Sequence, residues 1–177
     1  MSNFDNIKQA VKSEMEALKI RITANIISTG KNASGRTINS MQVIESNYGV
    51  ALINTQKGVK WFGILETGRK AGKVPRGFLA IILKWMYDKG IVADAIPYKR
   101  NPSARWQPKY SAQERGQKRM AWFISRKIPE KGTKQHRDGT TDEVYSKEIP
   151  KTIEAVKTIV NNFMVEHINL NIKKAIS

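Results

Sequence analysis

Few residues in this chain are of a type and spacing that could do chemistry. There are two histidines, His136 and His167, and no cysteine. His136 sits among glycines and charges, where a solvated role is expected. His167 falls on the apolar stripe of the last helix if that helix continues, and a packing role is expected there. Neither has a second ligand at a metal-binding spacing such as i, i+4 on a helix, so no metal and no cofactor is expected. Between residues 66 and 130 the acids are Glu66, Asp88, Asp94, Glu114 and Glu130. A Mg²⁺-dependent nuclease needs clustered carboxylates near a strand end. Glu66 followed by Arg69, Lys70 and Lys73 only faintly echoes such a site, and it reads better as a carboxylate that pairs with an arginine or caps a turn. Gly68-Arg69-Lys70-Ala71-Gly72-Lys73 lacks the Gly-x4-Gly-Lys-Ser/Thr spacing that cradles phosphates, so its glycines read as a tight turn. The chain is not expected to be an enzyme.

What remains is charge and aromatic surface. Residues 69–137 hold 18 Lys and Arg against four Asp and Glu, nearly all of the formal +16. Clustering of this kind suits a polyanion or an acidic partner, and it also serves solubility. The stretch Ile91–Tyr110 carries Pro97, Pro102 and Pro108, so it is expected to form a long arm rather than a helix or central strand. In it Tyr98, Trp106 and Tyr110 interleave with Lys99, Arg100, Arg105 and Lys109. Aromatics stack on bases while cations neutralise phosphates. The same residues anchor protein interfaces, which is the favoured reading of this arm. With Arg69, Lys70, Lys73, Arg115, Lys118 and Arg119 they form the candidate partner or DNA contacts.

The elements that would position these residues follow from periodicity. Phe4, Ile7, Val11, Met15, Leu18, Ile22 and Ile26 step by three or four, predicting a helix over 3–27 that ends near Gly30. A polar connection over 31–40 follows. Strands are expected at 41–45 and 50–55, with Asn47-Tyr48-Gly49 as the hairpin turn, and a third strand at 59–65 completes a small meander. A helix opens near Pro75–Gly77 and closes at Lys89, before Gly90. Ser111 and Glu114 form a capping box for a helix to Lys131, with Arg115, Lys118 and Arg119 on a half that projects outward. A flexible loop over 132–143 and a helix from Pro150 come next. The alternation Ile168-Asn169-Leu170-Asn171-Ile172 suggests a closing strand. The fold class expected is therefore α+β, a small antiparallel sheet packed with a long N-terminal helix and two or three further helices.

At 177 residues the chain fits one domain, 1–177, with 91–110 as an extended arm or insertion. No apolar run approaches the ~18 residues of a membrane span. The first residues are too charged for a signal peptide, and an intracellular protein, or one assembled there, is expected.

Several short motifs resemble one family. Ser34-Gly35-Arg36-Thr37-Ile38-Asn39-Ser40 is similar to a Thr-Gly-x-Leu-x-x-Ser stretch, with Thr37 standing where an apolar residue is usual. Trp61-Phe62-Gly63-Ile64-Leu65-Glu66-Thr67-Gly68-Arg69 looks like a Tyr-Ala-x-x-(Val/Leu)-Glu-x-Gly-(Thr/Arg) segment. The proline-opened helix from Pro75 to Ile91, and Phe123–Ile128 preceding Lys131-Gly132-Thr133, complete the set. Together they resemble the head–tail joining and tail-completion (neck) proteins of tailed bacteriophages, over about residues 5–165. The resemblance implies a virion protein at the head–tail interface, assembled in the host cytoplasm. It also implies a homo-oligomeric ring around the DNA exit channel, with portal, connector or tail proteins as neighbours and no membrane. The expected function is that of a structural ring component. A sequence-independent nucleic-acid-binding protein is the alternative.

Overall fold

The computed structural model describes residues 3–55, 60–99 and 107–176, and side chains within them except at 3, 4 and 60–62. It is a small α+β protein. In chain order the elements are α1 (Asn3–Ser28), α2 (Arg36–Asn39), β1 (Met41–Ser46), β2 (Gly49–Asn54), α3 (Lys60–Thr67), α4 (Phe78–Asp88), α5 (Ala112–Lys131), α6 (Lys134–Asp138) and α7 (Glu148–Ile176). They divide into two compact units, residues 1–66 with 142–177, and residues 67–141.

The first unit is built on α1. Leu18, Ile22 and Ile26, one face of that helix, pack with Met41 of β1 and Val144, flanked by Leu52 and Leu65. The helix stops as Gly30 predicts. Gly30 has φ 65°, and the amides of Lys31 and Gly30 return to the carbonyls of Ile26 and Ile27 at 3.0 and 2.9 Å. This reversal needs a residue without Cβ strain at positive φ. β1 and β2 pair antiparallel with Met41 opposite Asn54 and Ser46 opposite Gly49, which leaves Asn47 and Tyr48 as a two-residue turn.

A buried polar network fixes the start of α7 on α1. Arg21 donates to Glu14 at 2.7 Å and to Thr152 at 2.8 Å, and its Nε lies 3.3 Å from the Glu148 carboxylate. Asn25 donates to the Val144 carbonyl at 3.0 Å. Glu148 and Thr152 are buried, so the cationic and amide partners offset their desolvation. The chain leaves this unit at Glu66 and returns at Asp142, whose amide donates to the Glu66 carbonyl at 3.1 Å. Lys31 holds both crossings, bonding the Leu65 carbonyl and the Asp142 carboxylate. Residues 67–141 are thus an insertion with adjacent entry and exit.

In the second unit α4 lies on α5, with Ile82, Met86 and Ala121 at the centre of a core joined by Phe78, Leu83, Met120 and Ile124. The capping box is present: the Glu114 amide donates to Ser111 Oγ at 3.1 Å, and the Ser111 amide to the Glu114 carboxylate at 2.7 Å.

Five sequence expectations are corrected. The stretch 60–67 is helix α3, not the third strand of a meander, and Val59 lies outside the described residues. Ile64, Leu65 and Glu66 are consecutive and all at least partly buried, which a helix allows and an alternating strand does not. The connection over 31–40 holds the short helix α2, and the loop over 132–143 holds α6. The stretch 168–172 continues α7 to Ile176. Its period-two alternation coexists with a four-residue repeat, and a strand with no partner would leave its ladder groups without intramolecular bonds. Although the helix continues, His167 sits exposed on it rather than packed, within hydrogen-bond distance of Asn171 at 3.1 Å and beside the Phe163 ring.

Candidate nucleic-acid interface

The insertion of residues 67–141 carries 18 Lys and Arg against five Asp and Glu, a net +13 of the chain's +16. Its longest element, α5, organises that charge. Residues 91–98 run along the first turns of the helix as an extended strap, held by side-chain to main-chain hydrogen bonds. Gln117 donates to the Ile91 carbonyl at 2.9 Å and Gln113 to the Ala93 carbonyl at 2.7 Å. Arg115 donates to the carbonyls of Ile96 and Pro97 at 3.1 and 2.9 Å, and the Ile96 amide donates to the Ala112 carbonyl at 2.8 Å. Gly116 makes this approach possible, because a Cβ there would fall onto the Asp94 carbonyl. The start of the expected arm is therefore strapped to α5, and that half of the helix is covered on one side.

Cations also lie over aromatic rings along α5, beginning at the end of the strap. The Arg115 guanidinium lies 3.9 Å from the centre of the Tyr98 ring, and Lys118 Nζ lies 3.1 Å from that of Tyr110. Further along, Arg119 is 5.7 Å from Phe123 and Arg126 is 4.8 Å from Trp122. The Trp122 and Phe123 rings meet edge to face at 5.2 Å, and both are nearly half exposed. Arg115, Arg119, Trp122 and Arg126 step by four, three and four residues, which keeps them in one line on the helix. The line spans about 16 Å at 1.5 Å per residue. An open groove lined by Pro75, Phe78, Leu79, Trp122, Arg126 and Pro129 runs beside it.

The remaining sequence candidates gather at the two ends of α5. At its start Lys109 lies 5.5 Å from the Tyr110 ring, and the phenol of Tyr110 is held below its ordinary value, first by Lys118 and then by the charge of Lys109. Lys99 is exposed at the end of the strap. At the other end the Gly68–Lys73 turn is sewn to the helix terminus: the Gly72 amide donates to the Pro129 carbonyl at 2.8 Å. Lys70 and Lys73 are exposed there, while Arg69 donates to the Lys73 carbonyl at 2.5 Å and lies 5.7 Å from the Phe78 ring. Arg69 is thus engaged in holding the turn. Arg100, Arg105 and Trp106 lie outside the described residues.

Trp122, Phe123 and Arg126 were not among the sequence candidates. Phe123 reads as core from hydropathy alone. The signal that finds them is the spacing from Arg115 through Arg119 and Trp122 to Arg126, a cationic line with one aromatic at helical period.

Glu66, by contrast, is buried in the first unit and its carboxylate accepts from the amide of Ser146 at 3.1 Å and from the Ser146 hydroxyl. It caps the turn that opens α7. Beside it, burial and the negative charge of Glu66 push the Tyr145 phenol up. Among the described residues no three His, Asp or Glu side chains are grouped to hold a metal ion, and no helix is long and apolar enough to cross a membrane. Comparison with protein-family models, with curated proteins and with solved structures gives no match.

Proposed function

We propose that this protein is a structural component of a tailed-phage virion, a subunit of a ring at the head–tail interface around the DNA exit channel. In this reading the insertion of residues 67–141 turns the outer line of α5 toward the genome. The observation that carries it is that line: Arg115, Arg119 and Arg126 on one face of one helix, within a unit of net +13. A rigid helix presenting guanidinium groups along one line neutralises phosphates without reading bases, which suits a channel that DNA must slide through. The short neck-like motifs and the α+β fold support the same reading.

A second reading, a free-standing sequence-independent nucleic-acid-binding protein, is favoured by the half-exposed Trp122 and Phe123, since aromatic faces stack on single-stranded bases. Titrating the protein with random and fixed-sequence duplex at two salt concentrations, beside negative-stain imaging, tests both. The ring reading expects annular particles and weak, sequence-independent duplex binding, with dissociation constants on the order of 10⁻⁴ to 10⁻⁶ M near physiological salt. Binding should weaken in R119E/R126E. Single particles with a preference for single strands favour the second reading. Nanomolar sequence-selective binding that survives high salt overturns both, and absence of duplex binding assigns the cations to an acidic protein neighbour.

A further inference from the structure

The two edges of the β1–β2 sheet differ. The Thr55 amide donates to the Ser40 carbonyl at 2.8 Å, so residues 40 and 55 are a hydrogen-bonded pair. Alternation along the antiparallel ladder then makes Gln42–Ile53, Ile44–Ala51 and Ser46–Gly49 the bonded pairs. The main-chain groups of Val43 and Glu45 point away from β2, and those of Val50 and Leu52 point away from β1. No hydrogen bond from elsewhere in the described residues reaches the outward amides and carbonyls of Val50 and Leu52. Edges left open in this way recruit strands unless charge or a covering element blocks them. On the β1 side charge does so: Glu45 pairs with Lys8 at 2.9 Å and with Lys12 at 3.2 Å. On the β2 side Val50 and Leu52 are apolar and only half-buried.

Beside the β2 edge lies an apolar hollow of about 310 Å³. It touches Leu52, Ile53 and Asn54, consecutive residues whose side chains alternate between the faces of the sheet. It therefore wraps the outer side of the strand, since β1 occupies the inner side. Leu18 and Ile22 of α1 and Ile149 at the start of α7 line the rest, and none of the described residues around it is charged. Ile153 and Val160 follow Ile149 within about 40° on α7 and are exposed like it, which extends that side over about 16 Å. The six residues of β2 cover about 20 Å. We infer that β2 and this hollow form a docking site for one extended segment of a partner protein, with apolar side chains at alternate positions. Its main chain takes the outward groups of Val50 and Leu52, and its inward side chains fill the hollow. Backbone bonds then supply affinity and the hollow supplies specificity. Only an extended backbone offers donors and acceptors at ladder spacing, because a helix bonds its own internally. A nucleic acid would bring phosphates to a hollow that has no cation. The site does not depend on what the basic face of α5 binds.

A library of random decapeptides, selected on the full chain and counter-selected on Val50→Pro, is the probe. Proline at position 50 removes an outward amide and leaves the ladder bonds of Gly49 and Ala51 in place. Selected peptides should carry apolar residues at alternate positions and bind Ile149→Asp about tenfold more weakly or worse, with melting temperatures showing both variants folded. On the wild type, methylating one alternate set of peptide amides should abolish binding, and methylating the other set should not. This last comparison needs no protein variant. Apolar residues recurring every three or four positions, binding indifferent to both methylation patterns, or no peptide enriched over Val50→Pro overturns the proposal. A wild type that self-associates and becomes monomeric in Val50→Pro also overturns it, by assigning the edge to a second copy of the chain.

Discussion

Arg69 and Thr133, 64 positions apart, exchange two hydrogen bonds: the Arg69 amide donates to Thr133 Oγ1, and the Thr133 amide to the Arg69 carbonyl, each at 2.9 Å. This joins the Glu-x-Gly-Arg motif to the Lys-Gly-Thr motif and closes the insertion near both its ends. The flanking glycines allow it. A Cβ on Gly132 would come within 2.6 Å of the Arg69 carbonyl oxygen, and one on Gly68 would strike Thr133. Thr133→Val keeps the shape and removes the acceptor, leaving a partly buried amide unpaired. It should cost about 1–2 kcal/mol, read as a lower denaturant midpoint at unchanged slope.

Replacing a mid-helix glycine by alanine ordinarily stabilises by about 1 kcal/mol. Gly116→Ala should do the reverse, because its Cβ falls onto the Asp94 carbonyl and dislodges the strap. Gly63→Ala in α3, with nothing within 4 Å of the added atom, is the matched control and should stabilise. Melting temperatures of the two variants moving in the same direction would contradict the strap geometry.

Tyr110 and Tyr145 should not titrate together. Lys118 and the charge of Lys109 lower the Tyr110 phenol, while burial and then Glu66 raise that of Tyr145. Ultraviolet titration should lose an early component in Y110F and a late one in Y145F, and K118A should delay the early component. For Tyr110 the charged form is the favoured one. Its contribution to stability is present above the unfolded value near 10.0, is lost as pH falls through the lowered folded value, and is nil at neutrality.

Acid should loosen the first unit through Glu148. Burial alone would raise this carboxyl, but hydrogen bonds from Lys151 and Asn25 and the charges of Lys151 and Arg21 outweigh it and hold it below 4.5. A depressed carboxylate stabilises above its unfolded value and loses that contribution as pH falls through the folded one. Glu148→Gln should therefore flatten the fall in stability below about pH 4.5, at a cost near neutrality of about 1–2 kcal/mol from the weakened Arg21 and Asn25 contacts. Denaturant midpoints measured at neutral and acid pH decide this, and parallel curves for wild type and variant would refute it.

Where local chemistry settles the outcome, the sequence already determined it. The face of α1 through Leu18, Ile22 and Ile26, the stop at Gly30, the Asn47-Tyr48 hairpin, the Ser111–Glu114 box and the end of α5 at Gly132 all depend on periodicity, caps and turns within a few residues. The concentration of cations in the middle of the chain is equally a matter of composition. Tertiary structure decided what depends on distant neighbours. Residues 60–67 and 168–172 carry apolar runs compatible with either helix or strand, and only the burial of Glu66 under Ser146 and the lack, among the described residues, of a strand to pair with choose helix. Which cations face outward was likewise beyond the sequence: Arg69 is drawn into the Thr133 closure, Arg115 divides between the strap and Tyr98, and Arg119 and Arg126 are left in line with Trp122. A side chain's partners across 64 or 80 positions are fixed by packing that no local pattern encodes.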